Sequence, residues 1–354
     1  MRKKSIALIL VSIMMFSATG CSPSSKNNNS TIDATASGQS TEESSTQKQM
    51  LTFAGGNSST EAYTYWVAVN KAVKTMYPEL DITTVDATGG FDIAQRIRAG
   101  SIDAGNGVSV TDYDSYAGTG KFEGQGAKED LRVMWYYTES PINFCVDETL
   151  GLKYVNELNG VRMHPGGTGS TNTLVAMEIC SLLGVEPNWF EASSSDGIDA
   201  VMNRQISGAV RNGSAPDSQI IQMQSAINLS FLTLTDEEVG KIKEAFPYLN
   251  IVTIPAGSYD GQDYDYVTVA TAQGGITTTV LPQEEGYKYI KAMMSEEGKS
   301  QWGAAYPKGM EVDVIDLTLR TAQAPLHAGT VQYFKEIGVD VPEELIPPEY
   351  VPVN

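Results

Sequence analysis

Three short stretches combine glycine with hydroxyl or amide side chains where a strand-like run gives way to a helix-like one. They are Gly55-Gly56-Asn57-Ser58-Ser59-Thr60, Ala87-Thr88-Gly89-Gly90-Phe91 and Pro165-Gly166-Gly167-Thr168-Gly169-Ser170-Thr171. The first N–H groups of a helix have no intrahelical partner, and glycine lets a ligand approach them closely. Such a start favours a carboxylate or phosphate without needing a lysine. One stretch alone is ordinary turn and capping chemistry; three in compatible positions point to a binding crevice. They nominate Gly56, Asn57, Ser59, Thr88, Gly89, Gly90, Phe91, Thr168, Gly169, Ser170 and Thr171 as ligand-binding residues. Tyr63, Tyr136 and Tyr259 join them, because tyrosine combines apolar contact with a hydroxyl. Arg211 follows a strand-like run and offers a fork to a carboxylate.

The same residues do not assemble a catalyst. The loop at 166–171 lacks the lysine of a phosphate-binding loop, and its GGTGST run does not have G-x-G-x-x-G spacing. There is no G-x-S-x-G, and neither His164 nor His327 sits in a recognised acid–base arrangement. Asp263 and Asp265 match no complete calcium loop and read as solvated carboxylates. The expectation is a binding protein rather than an enzyme, with no cofactor, no metal and no catalytic residue.

Composition narrows the partners. The chain has 354 residues, 24 Lys and Arg against 43 Asp and Glu, and a formal net charge of −19. An acidic chain of this kind is a poor nucleic-acid binder, because phosphate contacts need clustered Lys and Arg. The first twenty residues carry Arg2, Lys3 and Lys4 before an apolar run from Ile6 to Phe16, which is too short to span a bilayer and reads as an export signal. The sequence Ala18-Thr19-Gly20-Cys21 resembles a lipobox, so Cys21 is the expected lipidation site and lipid the only expected membrane attachment. Residues 22–49 are dominated by Ser, Thr, Asn and Gln and read as a disordered tether. Cys145 and Cys180 leave two readings open, one disulfide or two buried thiols.

These residues must be positioned by what surrounds them. Short strand-like runs alternate with amphipathic stretches of helical period, as in 60–76 and 171–183, which implies α/β units around mostly parallel sheets. Two lobes are expected, one from 50–137 plus 262–354 and one from 138–261, with the crevice between them.

Taken in order, LTFAGGNSSTEAY at 51–63, VDATGGFDIAQRIRAGSIDAG at 85–105, GVRMHPGGTGSTNT at 160–173, TIPAGSYDGQDYD at 253–265 and APLHAGTVQYFKEIG at 324–338 resemble the TAXI family, the extracytoplasmic substrate-binding proteins of TRAP transporters. The resemblance spans about residues 50 to 338. It implies a two-lobed periplasmic-binding-protein-like α/β fold of type II character. It also implies a monomer that closes on a small acidic solute, such as glutamate or a dicarboxylate, and delivers it to TRAP-type membrane permease subunits. A binding lipoprotein of an ABC transporter or sensory system is the alternative, since its binding physics is the same. The sequence departs from the family pattern at Asn106-Gly107 and at Arg211-Asn212, two places where the cleft would differ.

Overall fold

The computed structural model describes residues 49–353 apart from Ser59 and Gly169. The export signal, Cys21 and nearly all of the tether therefore lie outside the described residues. Cys145 and Cys180 are both buried free thiols. Burial pushes the Cys180 thiol up to about 12, so it stays protonated and unreactive.

The chain begins with parallel β/α units: β1 (Gln49–Gly56), α1 (Glu61–Met76), β2 (Leu80–Asp86), α2 (Gly90–Arg98), β3 (Ala104–Val108) and α3 (Ser109–Ala117). β4 (Leu131–Asp147) follows. A second group contains β5 (Arg162–His164), α4 (Thr171–Leu183), β6 (Asn188–Trp189), α5 (Ser194–Met202), β7 (Gly208–Asn212), α6 (Ser218–Gln224), β8 (Leu229–Phe231), α7 (Asp236–Ala245) and β9 (Asn250–Ile254). The chain then returns along β10 (Tyr266–Thr278) and finishes with α8 (Gln283–Met294), α9 (Glu296–Ala305), α10 (Val314–Thr321) and α11 (Ala328–Glu336).

Strand order among the described residues is β2-β1-β3-β10-β4-β7-β5-β6, with β8 on β4 and β9 on β10. The pairing is more mixed than a mostly parallel pattern. β1 lies parallel to β2 and β3, and β5 parallel to β6 and β7. β10 runs antiparallel to β3, β4 and β9, and β4 antiparallel to β7 and β8. β4 runs straight through Pro141. Proline lacks only the donor, and the carbonyl of Pro141 still accepts the Gly213 N–H at 3.0 Å. The long β4 and β10 thus link the two groups of strands.

Alternation along β4, shifted once where its register with β10 slips between Val133 and Trp135, separates two layers of core. Trp135 and Tyr137 join an aromatic cluster with Phe53, Tyr65, Trp66, Tyr289, Trp302 and Tyr306. Tyr136 points to the other side, among Val133, Leu317 and Val331. Tyr65 stacks on Tyr137 with centroids 3.8 Å apart, and Trp66 meets Tyr137 edge-on at 5.7 Å. Such pairs contribute about 0.5–1.5 kcal/mol each beyond burial. This cluster braces α1 and β4, the two elements that carry much of the site described next. β5 to β8 and α4 to α7 pack around separate apolar clusters containing Phe144, Val175, Ile179, Ile198 and Phe231.

Candidate functional site

A cleft of about 590 Å³ opens where β1, β2 and β3 end, facing the Gly213–Ser218 turn after β7. β1 ends at Gly56, whose φ of 101° is the left-handed region that favours glycine. The turn after it places the Asn57 carbonyl so that it accepts the Thr60 N–H at 2.9 Å and the Thr60 hydroxyl at 2.7 Å. Thr60 then caps α1, accepting the Tyr63 N–H at 3.3 Å.

α2 begins differently. Its N-cap is Gly89, which has no side chain to accept an N–H, so the helix start faces the cleft without a cap of its own. Thr88 is held by its N–H, which donates to the Asp92 carboxylate at 2.9 Å. Gly90 must be small, because a Cβ there would come within 2.8 Å of Val108. That close approach seats the first turn of α2 on the end of β3.

Asn106 forms the floor. It is 6% exposed; its Oδ1 accepts the indole N–H of Trp66 at 2.8 Å and the Tyr137 hydroxyl at 3.4 Å. Its amide donates to Gln273 Oε1 at 3.4 Å. Tyr306 and Thr138 join their hydroxyls at 2.8 Å beside it. Asn106→Leu leaves a buried indole N–H and a phenol without their acceptor. It should lower stability by about 1–3 kcal/mol, read in urea unfolding; an unchanged midpoint would contradict this role.

Across the cleft, the Asn212 amide donates to the Ser140 carbonyl at 3.1 Å and the Ser214 hydroxyl to the Glu139 carbonyl at 3.3 Å. Asp217 caps α6 by accepting the Gln219 and Ile220 N–H groups at 3.1 and 3.0 Å. The charged side chains among the described lining residues are Glu61, Asp217 and Lys308.

The structure brings Gly56, Asn57, Thr88, Gly89 and Gly90 into this cleft and leaves other nominated residues outside its lining. Tyr136 is buried, and its hydroxyl donates to Asp112 at 3.0 Å; one step of strand alternation puts Tyr137 at the cleft instead. Phe91 turns away to pack on Phe122 at 5.1 Å, with the Lys121 ammonium 5.2 Å above its ring. Tyr63 lies against Gly55, where a Cβ would come within 3.1 Å of its ring.

Tyr259 and Arg211 act from behind the wall. The Tyr259 ring stacks on Phe231 at 4.6 Å, and its hydroxyl accepts the Asp217 N–H at 3.1 Å. Arg211 lies 3.5 Å from the Asp217 carboxylate and donates to the Ser194 hydroxyl at 3.2 Å. Thr168, Ser170 and Thr171 belong to the start of α4. There Thr168 donates to the Ala192 carbonyl at 2.9 Å, Ser170 caps the helix by accepting from Thr173, and Thr171 is its first residue. Ser59 and Gly169 lie outside the described residues.

A wider hollow of about 950 Å³ opens elsewhere, over the 255–263 loop and Ile221. Its charged lining residues are Asp260 and Asp263, and it contains no glycine-rich helix start. Asp265 in the same loop accepts the Ala256 N–H at 2.8 Å, which is a turn role. The smaller cleft is the chemically equipped one.

Asp112, in the first turn of α3, lies buried near Val108, which lines the cleft. Its carboxylate accepts the Val108 N–H at 3.1 Å and the Tyr136 hydroxyl at 3.0 Å. Burial dominates these two bonds and pushes the carboxyl up to about 8. The folded protein therefore keeps a proton that the unfolded chain releases in the ordinary carboxylate range. Between that range and about pH 8 this group makes stability fall as pH rises. Asp112→Asn should remove a slope of about 1 kcal/mol per pH unit, read from urea unfolding at about pH 5 and about pH 8. Equal slopes in the two proteins would contradict this.

The NMT1-like family model matches residues 53–338, most of the described chain. This chain belongs to the NMT1-like family. Among solved structures, the NMT1-like chain is similar to a TctC solute-binding protein from Polaromonas, at 14% identity and a TM-score of 0.50, covering 73% of this chain and 88% of that one. It is also similar to the periplasmic aliphatic sulphonate binding protein SsuA from Escherichia coli, at 13% identity and a TM-score of 0.47, covering 86% and 94%. A third is MatC from Rhodopseudomonas palustris with bound malate, at 12% identity and 0.43, covering 71% and 87%. At 14% identity the likeness to the TctC protein is one of fold. This NMT1-like protein has the two-lobed α/β fold of solute-binding proteins. No helix among the described residues is long and apolar enough to cross a membrane.

Residues that sequence reasoning did not nominate complete the cleft: Glu61, Tyr137, Thr138, Asp217, Gln273 and Lys308 are among them. Tyr137 and Gln273 had a signal, since both sit on long strands that pair at the site. Lys308 had none, because it arrives from the C-terminal third on a short 3-10 turn. Asn106, flagged only as a departure from the family pattern, forms the floor.

Proposed function

We propose that this NMT1-like protein is an extracytoplasmic receptor that captures a small solute bearing an anionic group and hands it to a TRAP-type membrane permease, as the TAXI resemblance implies. One observation carries the reading. Glycine-rich ends of β1 and β2 face the Gly213–Ser218 turn across one cleft, with an uncapped helix start and Lys308 on its lining.

The mechanism is non-covalent, and the protein is not an enzyme in this reading. A solute anion accepts hydrogen bonds from the first amides of α2 and from Lys308. Its other end reaches the 213–218 turn only when the walls approach, so binding shifts the population towards closure. The net charge of −19 opposes long-range attraction of an anion, so the local donors must supply the selectivity. Export and lipidation at Cys21 rest on the sequence alone and place the receptor on the outer face of the membrane.

Mass spectrometry of solute co-purified with the protein from its host, followed by calorimetric titration with that solute, tests the reading. A small anion or zwitterion that binds stoichiometrically supports it. Co-purification of only a solute without an anionic group, or absence of binding by any solute that bears one, overturns it. Genes for fused TRAP-type permease subunits beside this one would support the delivery step, and genes for an ABC transporter would overturn it.

A further inference from the structure

We propose that capture of the solute anion is coupled to a proton on Asp112: the cleft takes its anion while the Asp112 carboxyl is neutral and loses affinity when that carboxyl ionises. The inference rests on the receptor reading and adds the condition under which the receptor fills.

The first observation is a seat shaped for this carboxyl against the end of β3. A Cβ on Gly107 would come within 2.4 Å of Asp112 Oδ1 and 2.6 Å of Oδ2, so both oxygens press on the strand where glycine leaves room. Asn106-Gly107 is one of the two departures from the family pattern, and the Asp112 carboxyl explains the glycine. The Val108 N–H donates to Oδ1 at 3.1 Å and the Tyr136 hydroxyl to Oδ2 at 3.0 Å. Asp112 is 1% exposed, and among the described residues no cation pairs with it. With two neutral donors and no counter-charge, desolvation of the anion holds the group in its neutral form. The neutral acid keeps the Val108 N–H on one oxygen and shares its own proton with the Tyr136 hydroxyl through the other.

The second observation is where the seat lies. Val108 lines the cleft, and Gly90, the first residue of α2, packs on it. A Cβ on Gly90 would come within 2.8 Å of Val108 and 3.1 Å of Thr111 Oγ1, and Thr111 immediately precedes Asp112. The α2 start that receives the solute anion therefore rests on the strand end and helix turn that hold the carboxyl. An anion there and an ionised Asp112 repel through protein, where salt screens little. One like charge at such close range changes affinity by roughly 10-fold. By linkage, the bound anion raises the proton affinity of Asp112 by the same factor.

The elements packed on α3 bring no compensating charge to this seat. α2 carries Asp92 and Arg96, paired at 3.0 Å, and Arg98, which donates to the Ser115 and Gly126 carbonyls. The Gly120–Phe122 turn carries Lys121, which sits over the Phe91 ring. β4 brings Tyr136 itself, and β10 has no titratable side chain after Tyr266. On α3, Tyr113 packs on Tyr248, Tyr116 joins the layer of Leu317, and Asp114 accepts the Thr119 hydroxyl at 2.9 Å.

The test is calorimetric titration of the intact protein with succinate and with the co-purified solute, in buffers of different ionisation enthalpy. Burial pushes the Asp112 carboxyl up to about 8, within reach of ordinary buffers. Affinity should be level between about pH 6 and about pH 7, fall roughly 5-fold by about pH 9, and be accompanied near pH 8 by uptake of a fraction of a proton. Asp112→Asn should lose both the fall and the uptake. Tyr136→Phe removes the donor that favours the ionised form and should move the fall up by about one pH unit; a role in packing alone would not move it. Where Asp112→Asn does not fold, the Tyr136→Phe profile decides. Affinity independent of pH in the wild type, or one pH profile shared with the variants, overturns the inference and leaves the receptor reading standing. Failure of both solutes to bind at every pH overturns both readings.

Discussion

Lys308→Glu should weaken capture of the anionic solute by about 100-fold or more, with the fold unchanged. Lys308 is exposed and is the one cation among the described residues that line the cleft. Hydrogen bonds to charged groups contribute about 1.5–3 kcal/mol, and about 1.4 kcal/mol is a factor of ten in affinity. Removing the ammonium therefore costs one to two decades, and reversing its sign adds repulsion in a cleft that already holds two carboxylates. Lys308→Met isolates the first part and should lose about 10- to 100-fold. Calorimetric titration of the three proteins with the co-purified solute reads the series. The order wild type, methionine, glutamate is expected, with melting temperatures that agree. Equal affinity in all three would remove Lys308 from the site.

Gly274→Val should prevent the folded state from forming. Gly274 sits in the middle of β10, at a register irregularity where β10 passes Tyr136 of β4. A Cβ at this position would lie 1.9 Å from the Trp135 carbonyl and 2.7 Å from Tyr136 Cα, both backbone atoms that cannot rotate away. The pairing of β10 with β4 is the link between the two groups of strands, so relief by separation is not local. Overpacking of a well-packed core already costs about 1–3 kcal/mol, and backbone overlap of this size should exceed about 4–5 kcal/mol. Soluble yield and near-ultraviolet circular dichroism provide the readout. Gly89→Val is the control. A Cβ there meets nothing within 4 Å, although its φ of 157° keeps the site strained for a side chain, so it should cost far less. Comparable stability for Gly274→Val and wild type would mean that the strands do not approach as described.

Much of the fold was legible because it depends on local rules. The helical stripes at 60–76 and 171–183, the caps before them and the glycine breaks after the strands all follow from short-range physics. α9 escaped because EEGKSQWGAA contains two glycines and little apolar periodicity; its helix is held by Trp302, buried against α1 and α8. β9 escaped because five residues before Pro255 form a strand only by pairing with β10. The antiparallel centre was illegible for the same reason, since strand direction is set by long connections.

The site divides along the same line. The backbone half of the cleft, at Gly56 and at Thr88 to Gly90, was readable because helix starts advertise themselves. The side-chain half was not, because Asn106, Gln273 and the Tyr306–Lys308 turn meet from three separate segments. Tyr136 shows how narrow the margin is: on a strand, one residue separates a lining side chain from a buried one.

Amide hydrogen exchange with and without the co-purified solute tests the central claim most directly. The solute should slow exchange together at the start of α2, at Gly90 to Asp92, and in the facing 213–218 turn, because one molecule bridges both. Lys308→Glu should abolish both effects at the same solute concentration. Protection of only one of these segments, or protection centred on the hollow around Ile221 and the 255–263 loop, would contradict the account.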